Sequence, residues 1–249
     1  MADRQVRLRV KRQDGPEAKP YWQEFAVPHR PGMNVIACLM EIRRNPVTAR
    51  GEPTTPVAWE SSCLEEVCGS CAMLINGRAR MACTALVDRL RQPIVLEPLT
   101  SFPVIRDLVV DRTAIFETLK RVKAWLPVDG THPLGPGPRY SDADRQLRYE
   151  LSKCFTCGIC LDVCPNYHRD GRFIGPQPLG QALYHLLHPT GQLNREERLE
   201  AIMGDDGITN CGNAQNCGRM CPKGVPLLHA IARLQGETTR HALRRWLWR

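Results

Sequence analysis

A chain of 249 residues can form one large domain or two smaller ones, and two are expected because single cores stop growing near ~250 residues. Its 43% hydrophobic and 24% charged residues exclude a disordered, collagenous or coiled-coil chain. The formal charge of +8 suits nucleic acid, anionic headgroups or an acidic protein alike and selects none of them. The longest apolar run, Val35 to Met40, has six residues, whereas a spanning helix needs roughly 20. No membrane crossing is therefore expected. The opening Met1-Ala-Asp-Arg-Gln lacks a secretory apolar stretch, which points to the cytoplasm or another reducing compartment. Disulfides are not expected there, so twelve cysteines call for metal ligation or redox chemistry.

Residues 6 to 11 alternate strictly and Tyr21 to Val27 reads as a second strand, so the chain should open with a hairpin. Val35, Cys38, Leu39 and Ile42 recur at helical spacing, with Asn34 as N-cap and Asn45-Pro46 as the stop. Ala72 to Ile75 and Arg78 to Cys83 flank Asn76-Gly77, a strong hairpin signal, and Ile94 to Leu96 adds a short strand. These elements form a first α+β domain, residues 1–107. From residue 108 to 249 the pattern turns helical, first with Ala114, Ile115, Leu119 and Val122. A Gly/Pro cluster at 130 to 138 reads as an ordered connecting loop. Helices are expected at about 142 to 153, 178 to 187, 195 to 203 and 225 to 236.

Cys63, Cys68, Cys71 and Cys83 have the C-x4-C-x2-C spacing and later fourth cysteine of a plant-type [2Fe-2S] ferredoxin. The loop Val67-Cys-Gly-Ser-Cys71 is rich in small residues that let backbone N–H groups approach sulfur. The Asn76-Gly77 hairpin can return Cys83 to it. Zinc is the alternative, but zinc sites pair two short knuckles and only one short pair is present.

Cys154, Cys157, Cys160 and Cys164-Pro165 form the bacterial two-cluster run, in which the fourth cysteine serves the other cluster. Cys211, Cys217 and Cys221-Pro222 repeat that spacing, with Ala214 where the second cysteine would stand. The exchange rule gives Cys154, Cys157, Cys160 and Cys221 a complete [4Fe-4S] cluster. Cys164, Cys211 and Cys217 are left with three ligands, the number for a [3Fe-4S] cluster. A second [4Fe-4S] cluster with water or a distant side chain as fourth ligand is the alternative. Cys38 remains, on the apolar face of the first helix, as a small hydrophobe.

This constellation resembles the iron–sulfur subunit of succinate dehydrogenase and fumarate reductase. The resemblance covers nearly the whole chain: Ser62 to Cys71, Arg106-Asp-Leu-Val-Val-Asp111, the paired cysteine runs and Phe173-Ile-Gly-Pro176. Tyr21-Trp22, Met40 to Pro46 and Asp206 to Asn213 look most like the menaquinone-linked branch. It implies a β-grasp [2Fe-2S] domain followed by an all-helical bacterial-ferredoxin-type domain. It also implies a role as electron wire: a separate flavoprotein oxidises succinate to fumarate at FAD, and electrons pass through the [2Fe-2S], [4Fe-4S] and [3Fe-4S] centres to a quinone, menaquinone by preference. An integral membrane anchor, of a kind that can carry haem b, would hold the chain on the cytoplasmic face of a bacterial plasma membrane. Fumarate reduction along the same wire, or service to another flavoprotein, is the alternative.

No G-x-G-x-x-G loop occurs, so flavin or nicotinamide chemistry is expected on another chain. No nucleic-acid recognition motif is evident and no nucleic acid is expected as a partner. The ubiquinone-reducing members carry tryptophan shortly after the Cys-Pro and histidine after the first cysteine of the second run. Here the segments read Cys164-Pro-Asn-Tyr-His-Arg169 and Cys211-Gly212, so quinone ligands stay unassigned; Tyr167 and His168, near Cys164, could touch quinone or the anchor and are at least as well read as a surface pair. His185 and His188 read as structural, since sulfur ligands suffice. The tail, Arg240 to Arg249 with Trp246 and Trp248, suits a membrane interface or an ordinary amphipathic end.

Overall fold

The computed structural model describes residues 4–127, 139–168 and 171–248; the Gly/Pro cluster at 130 to 138 lies outside them. The chain divides into two compact units, Met1–Arg112 with Cys157–Asp162, and Thr113–Thr156 with Val163–Arg249.

In the first unit, β1 (Gln5–Arg12) places every second side chain inward, as a strand's two-residue period requires. It pairs antiparallel with β2 (Tyr21–Pro28) and parallel with β5 (Ile94–Glu97). β3 (Ala72–Ile75) joins β5 antiparallel and forms a hairpin with β4 (Arg78–Met81), giving the order β2-β1-β5-β3-β4. Asn76 and Gly77 both have positive φ, 52° and 74°, the demand of a tight primed turn that this pair meets at least cost. The Asn76 side chain also accepts from Val95 N at 2.7 Å and donates to Arg91 O at 2.9 Å, setting the hairpin against β5. The strand expected to reach Cys83 stops at Met81, because Ala82–Thr84 turns into a short 3-10 helix.

Helix α1 (Val35–Arg44) begins at Asn34, whose side chain accepts from Ala37 N, and buries Val35, Ile36, Cys38, Leu39 and Ile42. With Leu8, Phe25, Met73, Ile94 and Leu96 these fill the core. A two-stranded ribbon, β6 (Val104–Arg106) and β7 (Val109–Val110), closes the unit.

Arg12 takes the last inward position of β1 and is fully buried, as is Asp107. Arg12 Nε donates to Asp107 Oδ1 at 2.9 Å, and the two terminal nitrogens reach Gln23, Thr55 O (3.2 Å), Thr55 Oγ1 (3.0 Å) and Pro56 O (3.3 Å). All five guanidinium donors are thereby used. Asp107 also accepts from Gln13 N (3.0 Å) and Ala58 N (2.7 Å).

The second unit contains no strand among its described residues. Its helices are α2 (Thr113–Arg121), α3 (Asp142–Ser152), α5 (Pro176–Leu186), α6 (Arg195–Met203), α7 (Asn216–Met220) and α8 (Leu227–Leu247), with α4 (Ile159–Asp162) belonging to the first unit. α5 is central: eight of its residues are buried, and it packs on α3, α6 and α8. A Cβ on Gly180 would stand 2.7 Å from a Leu227 side-chain carbon, so glycine lets α5 and α8 approach. The last helix, expected over 225 to 236, continues to Leu247 because its inward face goes on finding partners, with Thr238 buried and Arg245 bonded to Glu200 at 2.7 Å. Asp107→Ala should leave a buried guanidinium without its carboxylate, a loss of about 3–5 kcal/mol; a chemical-denaturation midpoint close to wild type would contradict that.

Candidate metal centres

The loop from Cys63 to Cys71 is built around sulfur. Cys63 Sγ accepts from the backbone N–H groups of Glu65 (3.4 Å), Val67 (3.2 Å) and Cys68 (3.3 Å). To aim three donors at one atom the chain turns through positive φ at Leu64 (60°), Glu66 (57°) and Gly69 (80°). Two of these are not glycine, so the loop carries backbone strain at its sulfur-binding turn. Burial alone would raise the Cys68 thiol, but hydrogen bonds from Cys63 and Ser70 overcome it and bring the pKa down to about 6. Burial pushes Cys71 up to about 11, with Cys83 interacting closely. Cys83 is fixed from behind, its carbonyl accepting from Asn34 Nδ2 at 2.8 Å.

Arg112 holds the same loop from outside. Its Nη1 and Nη2 donate to Gly69 O and Ser70 O, each at 3.1 Å. The peptide whose Gly69 carbonyl Arg112 holds turns its Ser70 N–H toward the Cys68 thiol. Sequence reasoning passed over Arg112, since one arginine after Asp111 has no pattern of its own.

In the second unit, Cys154 follows α3 and its thiol is raised, mainly by burial and further by Cys221. Cys221 Sγ accepts from Val225 N at 3.4 Å. Cys157 and Cys160 are buried at α4 in the first unit; Asp162 secures that segment there, accepting from Ser101 N at 2.8 Å and Thr100 Oγ1 at 3.2 Å.

Cys164, Cys211 and Cys217 line one cavity of about 170 Å³ together with Phe173, Pro176 and Ala214. Burial pushes Cys217 up to about 11 against a Gly218 N–H, and nearby Cys164 and Cys211 add to the rise. Cys164 is likewise raised by burial, against N–H groups of Asn166 and Tyr167. These thiols surround a space; among the described residues no three His, Cys, Asp or Glu side chains are arranged to hold a single metal ion.

The two runs share a backbone as well as a spacing. In the first, Thr156 (φ 58°) and Gly158 (φ 86°) flank Cys157; in the second, Asn213 (φ 52°) and Gln215 (φ 64°) flank Ala214. A short helix follows each, α4 and α7. Ala214 thus occupies the position in its run that a cysteine holds in the other.

Comparison with known proteins matches residues 7–117 to the family described as a 2Fe-2S iron-sulfur cluster binding domain and residues 150–225 to a 4Fe-4S dicluster domain. The succinate dehydrogenase iron-sulfur subunit of Bacillus subtilis (strain 168) is 55% identical over 239 residues, 96% of this chain and 94% of the relative. The chain belongs to the family of succinate dehydrogenase and fumarate reductase iron–sulfur subunits. A fumarate reductase iron-sulfur subunit of Mycobacterium tuberculosis is 33% identical, covering 93% of this chain and 92% of its own length. A chain of the Mycobacterium smegmatis Sdh1 complex in the apo form has the same fold, with a TM-score of 0.72 at 24% identity over 96% of this chain and 98% of that one.

Other residues of this dehydrogenase-family chain take structural roles. Cys38 is fully buried, and burial first, then Glu41, pushes its thiol up to about 12. His188 Nδ1 accepts from Thr190 N at 3.2 Å and caps a short helix. Tyr167 N bonds back to Cys164 O at 3.1 Å. Among the described residues no helix is long and apolar enough to cross a membrane. Along α8, Leu243, Trp246 and Leu247 share a face at three- and four-residue spacing and are exposed, opposite the face that carries Leu227, Leu234 and Thr238.

His185 is driven down to about 4, chiefly by burial and then by Arg198 and Arg148. A histidine whose folded pKa lies below its unfolded value near ~6.5 leaves stability intact above that value and removes it as pH falls toward the folded pKa. His185→Leu should therefore show a shallower loss of thermal stability between pH 6.5 and 4 than wild type; parallel profiles would contradict the assignment.

Proposed function

We propose that this chain is the electron-transfer subunit of a succinate dehydrogenase, placed between a flavoprotein whose FAD oxidises succinate and a membrane anchor at which a quinone is reduced. Cys63, Cys68, Cys71 and Cys83 would hold [2Fe-2S]; Cys154, Cys157, Cys160 and Cys221 would hold [4Fe-4S]; Cys164, Cys211 and Cys217 would hold [3Fe-4S]. The thiols fit these groups: backbone donors aim at the sulfurs, and the three-cysteine set surrounds a cavity instead of a packed core. Bound there, the clusters supply one-electron transfer, and no step needs an acid or base from this chain.

The chain's own residues set the conditions for that transfer. The N–H groups at Cys63 and the Arg112 clamp stabilise negative charge on the first loop. The cavity of Cys164, Cys211 and Cys217 is rimmed by exposed Gly212 to Gln215, which supports an acceptor side at this end of the second unit. Menaquinone as acceptor, a haem-bearing anchor and a place on the cytoplasmic face of a bacterial membrane extend this reading by the family resemblance. Identity of 55% to a succinate dehydrogenase subunit against 33% to a fumarate reductase subunit favours succinate oxidation over the reverse direction.

The observation that carries the three-cluster assignment is Ala214, set between Asn213 and Gln215 on the ligand-bearing backbone of the other run. Analysis of non-haem iron in the complex should give about nine irons per copy of this chain, with EPR signals from a reduced [2Fe-2S] and an oxidised [3Fe-4S] centre. Ala214→Cys should complete the fourth corner, abolish the [3Fe-4S] signal, lower the potential of that centre and slow quinone reduction while flavin reduction persists. An unchanged EPR spectrum in that variant would rule the assignment out.

A further inference from the structure

Helix α8 packs through Leu227, Ile231, Leu234 and Thr238, all buried. To one side of that row Leu228, Ala232, Gln235 and Thr239 are exposed, and the first three line the cavity of Cys164, Cys211 and Cys217. Trp246 follows Leu228 by eighteen residues, five turns at about 3.6 residues each, and so returns to the same side of the helix. Leu243 and Leu247 widen the row there. One uncharged strip therefore runs from the cavity to the end of α8. Its far end is strongly apolar, with Leu243, Trp246, Leu247 and Trp248 between 53% and 89% exposed. The same stretch is basic: from Thr238 to Arg249 the sequence has four arginines and neither Asp nor Glu. Arg245 turns inward to Glu200 on α6, while Arg240 and Arg244 stand at the edge of the strip, one turn from Leu243 and Leu247. Indoles settle where headgroups meet acyl chains, and arginine lays an apolar stem along such a surface while its guanidinium meets phosphate. An exposed apolar strip edged by cations is the pattern of a helix lying in a membrane interface.

We infer that the end of α8, from Leu243 onward, lies in the headgroup layer of an anionic phospholipid membrane and touches lipid directly. The cavity of Cys164, Cys211 and Cys217 opens on the same side of the helix, so the surface that receives the tryptophans is also the one from which a lipid-soluble acceptor would come. That orientation rests on the acceptor side assigned above; the contact with lipid stands on α8 alone.

The test is flotation of the purified full chain with vesicles of phosphatidylcholine alone and of phosphatidylcholine with an equal part of phosphatidylglycerol. Binding is expected to the anionic vesicles and should weaken as salt is raised. The double variant Trp246→Ser, Trp248→Ser should bind them about tenfold more weakly or worse, and Arg244→Gln about fivefold more weakly. These side chains are exposed, so the variants should melt with wild type. A chain that does not bind anionic vesicles, that floats equally with phosphatidylcholine alone, or whose binding survives the double substitution overturns the inference. A double variant that binds vesicles like wild type but no longer assembles with the flavoprotein or the anchor assigns the face to a protein partner instead. A chain that floats as expected but shows no [3Fe-4S] signal keeps its lipid face and loses the cluster assignment; one with all three centres that does not float separates the two the other way.

Discussion

The first unit depends on the buried pair Arg12 and Asp107. Arg12 ends the strand that opens the chain, and Asp107 lies 95 residues later at the turn between β6 and β7. Between them they bind Gln13 after β1, Gln23 on β2, and Thr55, Pro56 and Ala58 on the chain leading into the cysteine loop. A buried ion pair is weak evidence of stability, because desolvation offsets much of its attraction. Its worth here is positional: with every guanidinium donor used, one arrangement of those three segments satisfies the pair. Arg112, five residues beyond Asp107, is thereby brought to the loop carbonyls it clamps.

The second unit follows another logic. Its helices pack around a buried apolar core that includes Leu151, Leu179, Leu183, Leu199, Ile202 and Leu234. A buried polar anchor joins them. Arg198 is fully buried and donates to the carbonyls of Gly191, Lys123 and Trp125 at 2.8 to 3.2 Å, joining the end of α2 to α6. Burial lowers its pKa, yet a guanidinium remains charged at any ordinary pH. Its partners are main-chain carbonyl oxygens of the segment after α2 and of the 3-10 turn before α6.

Sequence legibility followed the range of the forces involved. The hairpins, α1 with its Asn34 cap and the start of most later helices are set by neighbours within a few residues, and these could be read from period and turn residues. The ligand spacing was equally local, because a loop must return thiols at fixed intervals. What escaped was long range. No pattern near Arg12 announces Asp107, none near Arg112 announces Gly69, and Gln177 reads like any helical surface glutamine although it is buried. The extension of the last helix to Leu247 escaped for the same reason, since its polar tail is steadied by Glu200 on α6.

The two cysteine runs show what the backbone retains when a ligand is absent. A non-glycine residue in the left-handed region costs on the order of 1 kcal/mol, and the second run maintains two, Asn213 and Gln215, around a side chain with no donor atom. If that turn existed only to present residue 214, relaxation would be favourable once alanine stood there. Its persistence means that the turn is needed by its neighbours, Cys211 and Cys217, whose sulfurs it keeps around the cavity with Cys164. The shape of the cage is therefore set by three thiols and the path of chain between them. The fourth position can change identity without rebuilding the rest.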